Sequence, residues 1–193
     1  MGAVPIYLKW RFNEMANYVF VATTLDGFIA DIAGGIEWLT EIPNPDKTDY
    51  GYAALMKNID ALVMGRGTFE KVLTFGEWFY TKPVFVLSSS LTEIPENLSD
   101  KVKIIKGDIS GVVQSLSQQG YKNLYVDGGK LIQGFLKEDL IDELIINKIP
   151  IILGKGIPLF GEIDQKLKFK HAKTEIFNNS LVMSYYSRDR EAN

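Results

Sequence analysis

Met64-Gly65-Arg66-Gly67-Thr68 closes a short apolar run, Ala61 to Met64, and opens a segment with helical spacing, Thr68 to Leu73. Strand, glycine turn and helix follow one another there. Two later stretches repeat the pattern. Pro83 to Leu87 runs into Ser88-Ser89-Ser90, and Asn123 to Val126 runs into Asp127-Gly128-Gly129 ahead of a helical segment from Lys130 to Leu136. A glycine turn between strand and helix lets backbone N–H groups approach phosphate oxygens, and the helix start adds partial positive charge. A single turn of this kind is ordinarily no more than a tight turn. Three on neighbouring parallel strands would converge at the carboxyl ends of those strands, where open α/β sheets hold their ligands. Arg66 brings a planar fork suited to a phosphate such as a 2'-phosphate, and Thr68, Ser88, Ser89 and Ser90 bring hydroxyls. No G-x-G-x-x-G follows the first strand, so the ordinary dinucleotide fingerprint is absent.

Outward from these turns the chain keeps alternating. Tyr18 to Leu25, rich in β-branched and aromatic residues, reads as a strand ending at the turn signal Asp26-Gly27. A loop with Gly34, Gly35, Pro43 and Pro45 follows, and the spacing of Tyr50, Ala53, Ala54 and Lys57 predicts a helix from Asp46 to Lys57. Val102 to Ile105 suits a strand and Ile109 to Gln118 an amphipathic helix. Leu140 to Pro150 favours a strand through its isoleucines. Phe169 to Phe177 and Leu181 to Ser187 flank Asn178-Asn179-Ser180 as a β-hairpin. The expectation is an α/β fold: a mostly parallel central sheet flanked by helices, with an antiparallel C-terminal hairpin.

Composition narrows the function classes. The 193 residues are 46% hydrophobic and 23% charged, an ordinary balance for one globular domain. A net charge of -3 argues against nucleic acid as a partner, because phosphate backbones are held by clustered Lys and Arg. With no cysteine and one histidine, neither a disulfide framework nor a Cys/His metal site is expected, and no metal site is assigned. No apolar run approaches the roughly 20 residues of a membrane span, and the first fourteen residues lack the apolar stretch of a secretory signal. A cytoplasmic protein with no membrane partner is the expectation.

Met64 to Glu70, then Val86-Leu87-Ser88-Ser89, then Gly128-Gly129 opening a helix occur in the order found in dihydrofolate reductases. From about Asn17 to Ser187 the chain resembles that family. It is also similar to the reductase domain of riboflavin-biosynthesis deaminase-reductases, through Leu25-Asp26-Gly27-Phe28-Ile29-Ala30 and through Pro150 to Phe160, with the closer match in the C-terminal half. Standalone reductase-like proteins that share both sets of features are the nearest type. The resemblance implies a dihydrofolate reductase-like fold in a single reductase domain, residues 17–190, after an N-terminal extension, residues 1–16. It implies NADPH as cofactor, held by Gly65, Arg66, Gly67, Thr68, Ser88, Ser89, Gly128, Gly129, Lys130 and Leu131. Ala22 and Ile29 would offer backbone groups to the nicotinamide carboxamide. Trp38 and Phe28 would stand beside a small heterocyclic substrate, and the protein would pair as a homodimer.

Asp49 lies sixteen residues before Gly65, the spacing of the active-site acid in dihydrofolate reductases, and is the catalytic candidate. A C=N bond accepts hydride faster when protonated, so a carboxyl shielded from water and biased towards neutrality assists. The competing reading of Asp49 is an exposed first-turn aspartate that complements the helix dipole. Asp26 is read as shaping its turn. Two departures bear on the substrate. Folate reductases grip the glutamate tail with an arginine after the first glycine motif, whereas the arginines here are Arg11, Arg66, Arg188 and Arg190, and Leu73 to Lys82 holds Phe75, Trp78, Phe79 and Tyr80 instead. Riboflavin-type reductases read Asp-Gly-Lys where this chain has Asp26-Gly27-Phe28. Lys155 is read as a loop lysine or a phosphate contact, and His171 as a surface or packing residue. Dihydrofolate, 5-amino-6-(5-phosphoribosylamino)uracil and another pterin stay open as substrates. A nucleotide-binding module without turnover is the reading from another class.

Overall fold

The computed structural model describes residues 15–178 and 180–191. In chain order its elements are β1 (Ala16–Thr23), β2 (Phe28–Ala30), α1 (Tyr52–Met56), β3 (Ala61–Gly65), α2 (Arg66–Leu73), β4 (Val84–Leu87) and β5 (Val102–Ile105). Then come α3 (Ile109–Gln118), β6 (Asn123–Asp127), α4 (Gly129–Lys137), β7 (Glu143–Lys148), β8 (Ile157–Pro158), β9 (Phe169–Phe177) and β10 (Leu181–Arg188). Eight strands form one sheet in the order β5-β4-β3-β6-β1-β7-β10-β9. The pairings from β5 to β7 are parallel and the last two antiparallel, so the expected parallel sheet with a C-terminal hairpin is the observed architecture. The chain steps outward from β3 to β5, then returns through α3 to set β6 between β3 and β1.

Alternation of side chains sorts the core into two layers. Tyr18, Leu62, Met64, Val86, Tyr125, Ile145 and Met183 face Trp38, Leu55, Phe69 and Val72, the last two on α2. Val19, Val63, Phe85, Leu124, Val126 and Leu144 face Val112 and Leu116 of α3 and Ile132 and Phe135 of α4. The central strands are apolar on both faces, as a parallel sheet covered on both sides requires. No helix among the described residues is long and apolar enough to cross a membrane.

Three expectations change. The helix expected over Asp46 to Lys57 is confined to Tyr52–Met56, because Lys47 (φ 47°), Tyr50 (φ 52°) and Gly51 (φ 84°) are left-handed and break the spiral. Asn44 holds that irregular stretch, its side chain bonding the Thr48 backbone at both N–H and C=O. A small second sheet, β2 with β8, was not expected. It lies beside the loop around Gly154, where Asp26 accepts the N–H groups of Leu153 (3.3 Å) and Gly154 (2.8 Å) and the Thr24 hydroxyl (2.5 Å). Finally, β1 already starts at Ala16, inside the expected extension of residues 1–16, whose first fourteen residues lie outside the described ones.

Candidate cofactor and substrate site

Because β4, β3 and β6 are adjacent and parallel, their carboxyl ends bring Leu87-Ser88, Gly65 and Asp127-Gly128 to one edge of the sheet. The turns also touch. Gly128 is left-handed (φ 94°), and the Thr68 hydroxyl occupies the place its Cβ would take, so the first and third turns abut. Arg66 Nη1 donates to Ser90 Oγ at 3.0 Å, which links the first turn to the second, while its Nε pairs with Glu70 at 3.2 Å. Ser88 is buried and shapes its own turn, its hydroxyl oxygen accepting the N–H groups of Ser90 and Leu91. Ser89 and Gly67 are exposed.

Helix starts differ in a way that bears on anion binding. Asp108 caps α3, accepting the Gly111 N–H at 2.7 Å. Neither α2, behind Gly65, nor α4, behind Gly128, has a side-chain cap. The first N–H groups of a helix lack intrahelical partners, and here they stand with the Arg66 fork and the hydroxyls of Thr68, Ser88, Ser89 and Ser90, a donor set that fits a dinucleotide's phosphates. Lys130 is exposed at this site, whereas the Leu131 side chain is buried against the second apolar layer and leaves only its backbone for a ligand. A Cβ on Gly129 would stand 2.7 Å from Ile29 Cδ1, so Ile29 packs directly on the glycine turn. Ala22 sits half-buried near the end of β1, on the layer that holds Trp38.

The carboxyls fall out differently from the expectation. Asp49 is exposed, and its oxygens accept the N–H groups of Gly51 (2.9 Å) and Ala53 (2.8 Å) at the start of α1. Those bonds, Ala53 first, hold its pKa below the usual aspartate value. It is a helix-start anion, without the shielding and the bias to neutrality that the acid role demands. Asp127 has both. It ends β6 on the side chain face of Tyr125, and burial raises its pKa, opposed in part by bonds from Tyr80 and the Gly128 N–H. The Tyr80 hydroxyl donates to Asp127 at 3.2 Å. Tyr52, Tyr80 and Tyr125 surround it electrostatically, and Tyr125 donates to the Phe20 carbonyl at 2.9 Å. Burial, with the Asp127 charge second, pushes Tyr52 up to about 12. Among the described residues no Lys or Arg forms an ion pair with Asp127.

Trp38, on a 3-10 turn (Glu37–Glu41), is buried in the same layer as Tyr80 and Trp78, and its indole N–H has no acceptor. Trp78 and Tyr80 meet edge to face at 5.2 Å and form core wall on this side of the sheet, while Phe75 and Phe79 of the same segment are exposed. Phe28 goes elsewhere: its ring covers Gly156 in the 154–156 loop, outside both apolar layers. Lys155 is exposed in that loop, and His171 is exposed on β9 against the Tyr186 ring. The sequence shows Asp127 only as part of a turn and Tyr80 only as one of an aromatic group that suits core, substrate wall or subunit contact. The alternation that puts Asp127 on the Tyr125 face was there to be read.

Comparison with known proteins agrees with this geometry. The model of the RibD C-terminal domain family matches residues 18–183. The uncharacterized Bacillus subtilis protein YwjB is 34% identical over 176 residues, covering 89% of this chain and 98% of YwjB. The crystal structure of a Shewanella sp. PV-4 protein, provisionally named for riboflavin biosynthesis, superposes with a TM-score of 0.88 at 50% identity, covering 91% of this chain and all of that one. Enterococcus faecalis dihydrofolate reductase, complexed with NADP(H), shares the fold at 16% identity and a TM-score of 0.64, over 90% of this chain and 96% of its own. With the sheet order, the three converging turns and the match over residues 18–183 together, the chain belongs to the RibD C-terminal domain family, a riboflavin-biosynthesis reductase-type domain on a dihydrofolate reductase-like fold.

Proposed function

We propose that this protein is an NADPH-dependent reductase that delivers hydride to a C=N or similar bond of a pterin or a ribosylaminopyrimidine, of the 5-amino-6-(5-phosphoribosylamino)uracil type. The observation that carries the reading is the meeting of three turns at the carboxyl ends of β4, β3 and β6, two of them opening helices without side-chain caps. Gly65, Gly67, Thr68, Gly128, Gly129 and the backbone at Lys130 and Leu131 would hold the phosphates. Arg66 and the serines would take the 2'-phosphate end, and Ala22 and Ile29 would border the nicotinamide. When bound, NADPH supplies the hydride. Asp127, whose pKa burial raises, would donate the proton to the substrate nitrogen, and Tyr80 would hold its carboxyl in place. Trp38 walls the substrate. The lack of a tail-gripping arginine in Leu73 to Lys82 weighs against dihydrofolate itself.

NADPH titration followed by oxidation assays with dihydropterin, dihydrofolate and the ribosylaminouracil tests this. Tight NADPH binding with consumption by one of them is the expected result. Tight binding with none consumed would instead favour the nucleotide-binding module. The homodimer implied by the resemblance is a proposal too, with the apolar recess between Leu144, Ile146, Phe160, Phe169 and Val182 as its surface; a monomer in sedimentation equilibrium would end it.

A further inference from the structure

Asn147 is out of character with its strand. It lies on β7 between Ile145 and Ile149, on the face where Tyr125, Ile145, Ile149 and Met183 form an apolar layer. Its cross-strand neighbours are Ala22 on β1 and Met183 on β10. It is 3% exposed, and its amide oxygen has no hydrogen-bond partner. A valine or leucine would suit a β-strand facing an apolar layer, and an unpartnered buried amide destabilises the fold. The other buried asparagine shows what a structural role looks like. Asn17, near the amino end of β1, also has an amide oxygen without a partner, but its amide nitrogen donates to the Leu140 carbonyl at 2.7 Å and so ties two segments together. Asn147 ties nothing. It sits at the opposite, carboxyl end of the parallel strands, beside the small Ala22 on β1. Trp38 and Trp78 belong to the same layer, and their buried indole N–H groups have no acceptor.

We infer that Asn147 is a substrate-contacting residue that sets specificity, its amide pairing with an edge of a planar nitrogen heterocycle that presents a hydrogen-bond donor beside an acceptor. The inference deepens the proposed function and rests on it. A carboxamide carries a donor and an acceptor side by side, so it matches a lactam or aminopyrimidine edge through two bonds and discriminates against a ring without them. The unpartnered state in the free protein is then the cost of a site built for a ligand, and relieving it should trade binding for stability.

The test uses Asn147→Leu, close in size, and Asn147→Thr as a smaller second variant. Pterin, which has such an edge, and unsubstituted pteridine, which has none, are the probes, and binding is read by fluorescence in the presence of NADP. The wild type should prefer pterin by about tenfold or more, and both variants should lose that preference. NADPH affinity should stay within about twofold, since that site is built on other residues. Asn147→Leu should also melt about 2–4 °C higher, the shift expected from removing one unsatisfied buried group in a domain of this size. Retention of the pterin preference by either folded variant would overturn the inference, as would a wild type that binds both probes equally or neither. Failure of both variants to fold would overturn it too, by assigning Asn147 to the scaffold. If the wild type binds no NADPH, the reductase reading falls by that measurement alone.

Discussion

Asp49-Tyr50-Gly51 before α1 and Asp127-Gly128-Gly129 before α4 are similar in sequence: an aspartate, a glycine, and a helix start. Their chemistry is opposite. Asp49 is exposed and its oxygens face two N–H groups of its own helix, which favour the charged form. Asp127 ends a central strand, enclosed by Tyr52, Tyr80 and Tyr125, and burial favours its neutral form. In the first case the helix N–H groups are satisfied by the aspartate; in the second they are left open at the crevice. Where the carboxyl stands relative to water and to the helix start decides whether it stabilises the fold or is available to move a proton.

The sharpest way to break that contrast is to remove each carboxyl. Asp127→Asn should lower turnover about 100-fold or more while NADPH affinity changes little; steady-state kinetics and a binding titration measure both, and unchanged turnover would return the acid role to another group. Arg66→Ala, at the open helix starts, should weaken NADPH by about tenfold or more and NADH little, as loss of a charge-assisted contact to the 2'-phosphate predicts; equal losses for the two cofactors would remove Arg66 from that phosphate. Asp49→Ala should leave turnover alone and cost about 1 kcal/mol of stability, read as a melting temperature about 2–4 °C lower.

The two aspartates should also differ in pH dependence. Asp49 has a lowered folded pKa, so its stabilisation is present above the ordinary aspartate value of about 3.9 and is lost as pH falls through the folded value. Asp127 has a raised one, so its contribution is lost in the other direction, as pH rises from about 3.9 through its folded value. Melting curves of Asp49→Ala and Asp127→Asn should therefore lie nearest wild type at low pH and diverge from it in opposite directions as pH rises, Asp49→Ala becoming relatively less stable and Asp127→Asn relatively more stable.

Much of the fold was legible. Ala61 to Leu73 and Asn123 to Leu136 were read close to their observed bounds because glycine turns separate apolar runs whose periods differ. The stretch from Asp46 to Gly51 was not, since left-handed backbone at Lys47 and Tyr50 has no reliable residue signature. Nor was the β2–β8 pair, whose partners are more than a hundred residues apart and whose strands are two and three residues long. The cofactor turns were visible as local patterns, while Asp127, Tyr80 and Asn147 acquire meaning only from neighbours on other strands.

By itself the sequence determined the α/β alternation, the positions of the phosphate-type turns and the apolar character of the central strands. Those follow from local backbone preferences and from side-chain periodicity. The tertiary structure decided that the three turns meet, which of two similar aspartates is shielded, and that one asparagine is buried without a partner. Burial and pairing depend on residues brought together from distant parts of the chain, and no local pattern encodes the water that is excluded when they meet.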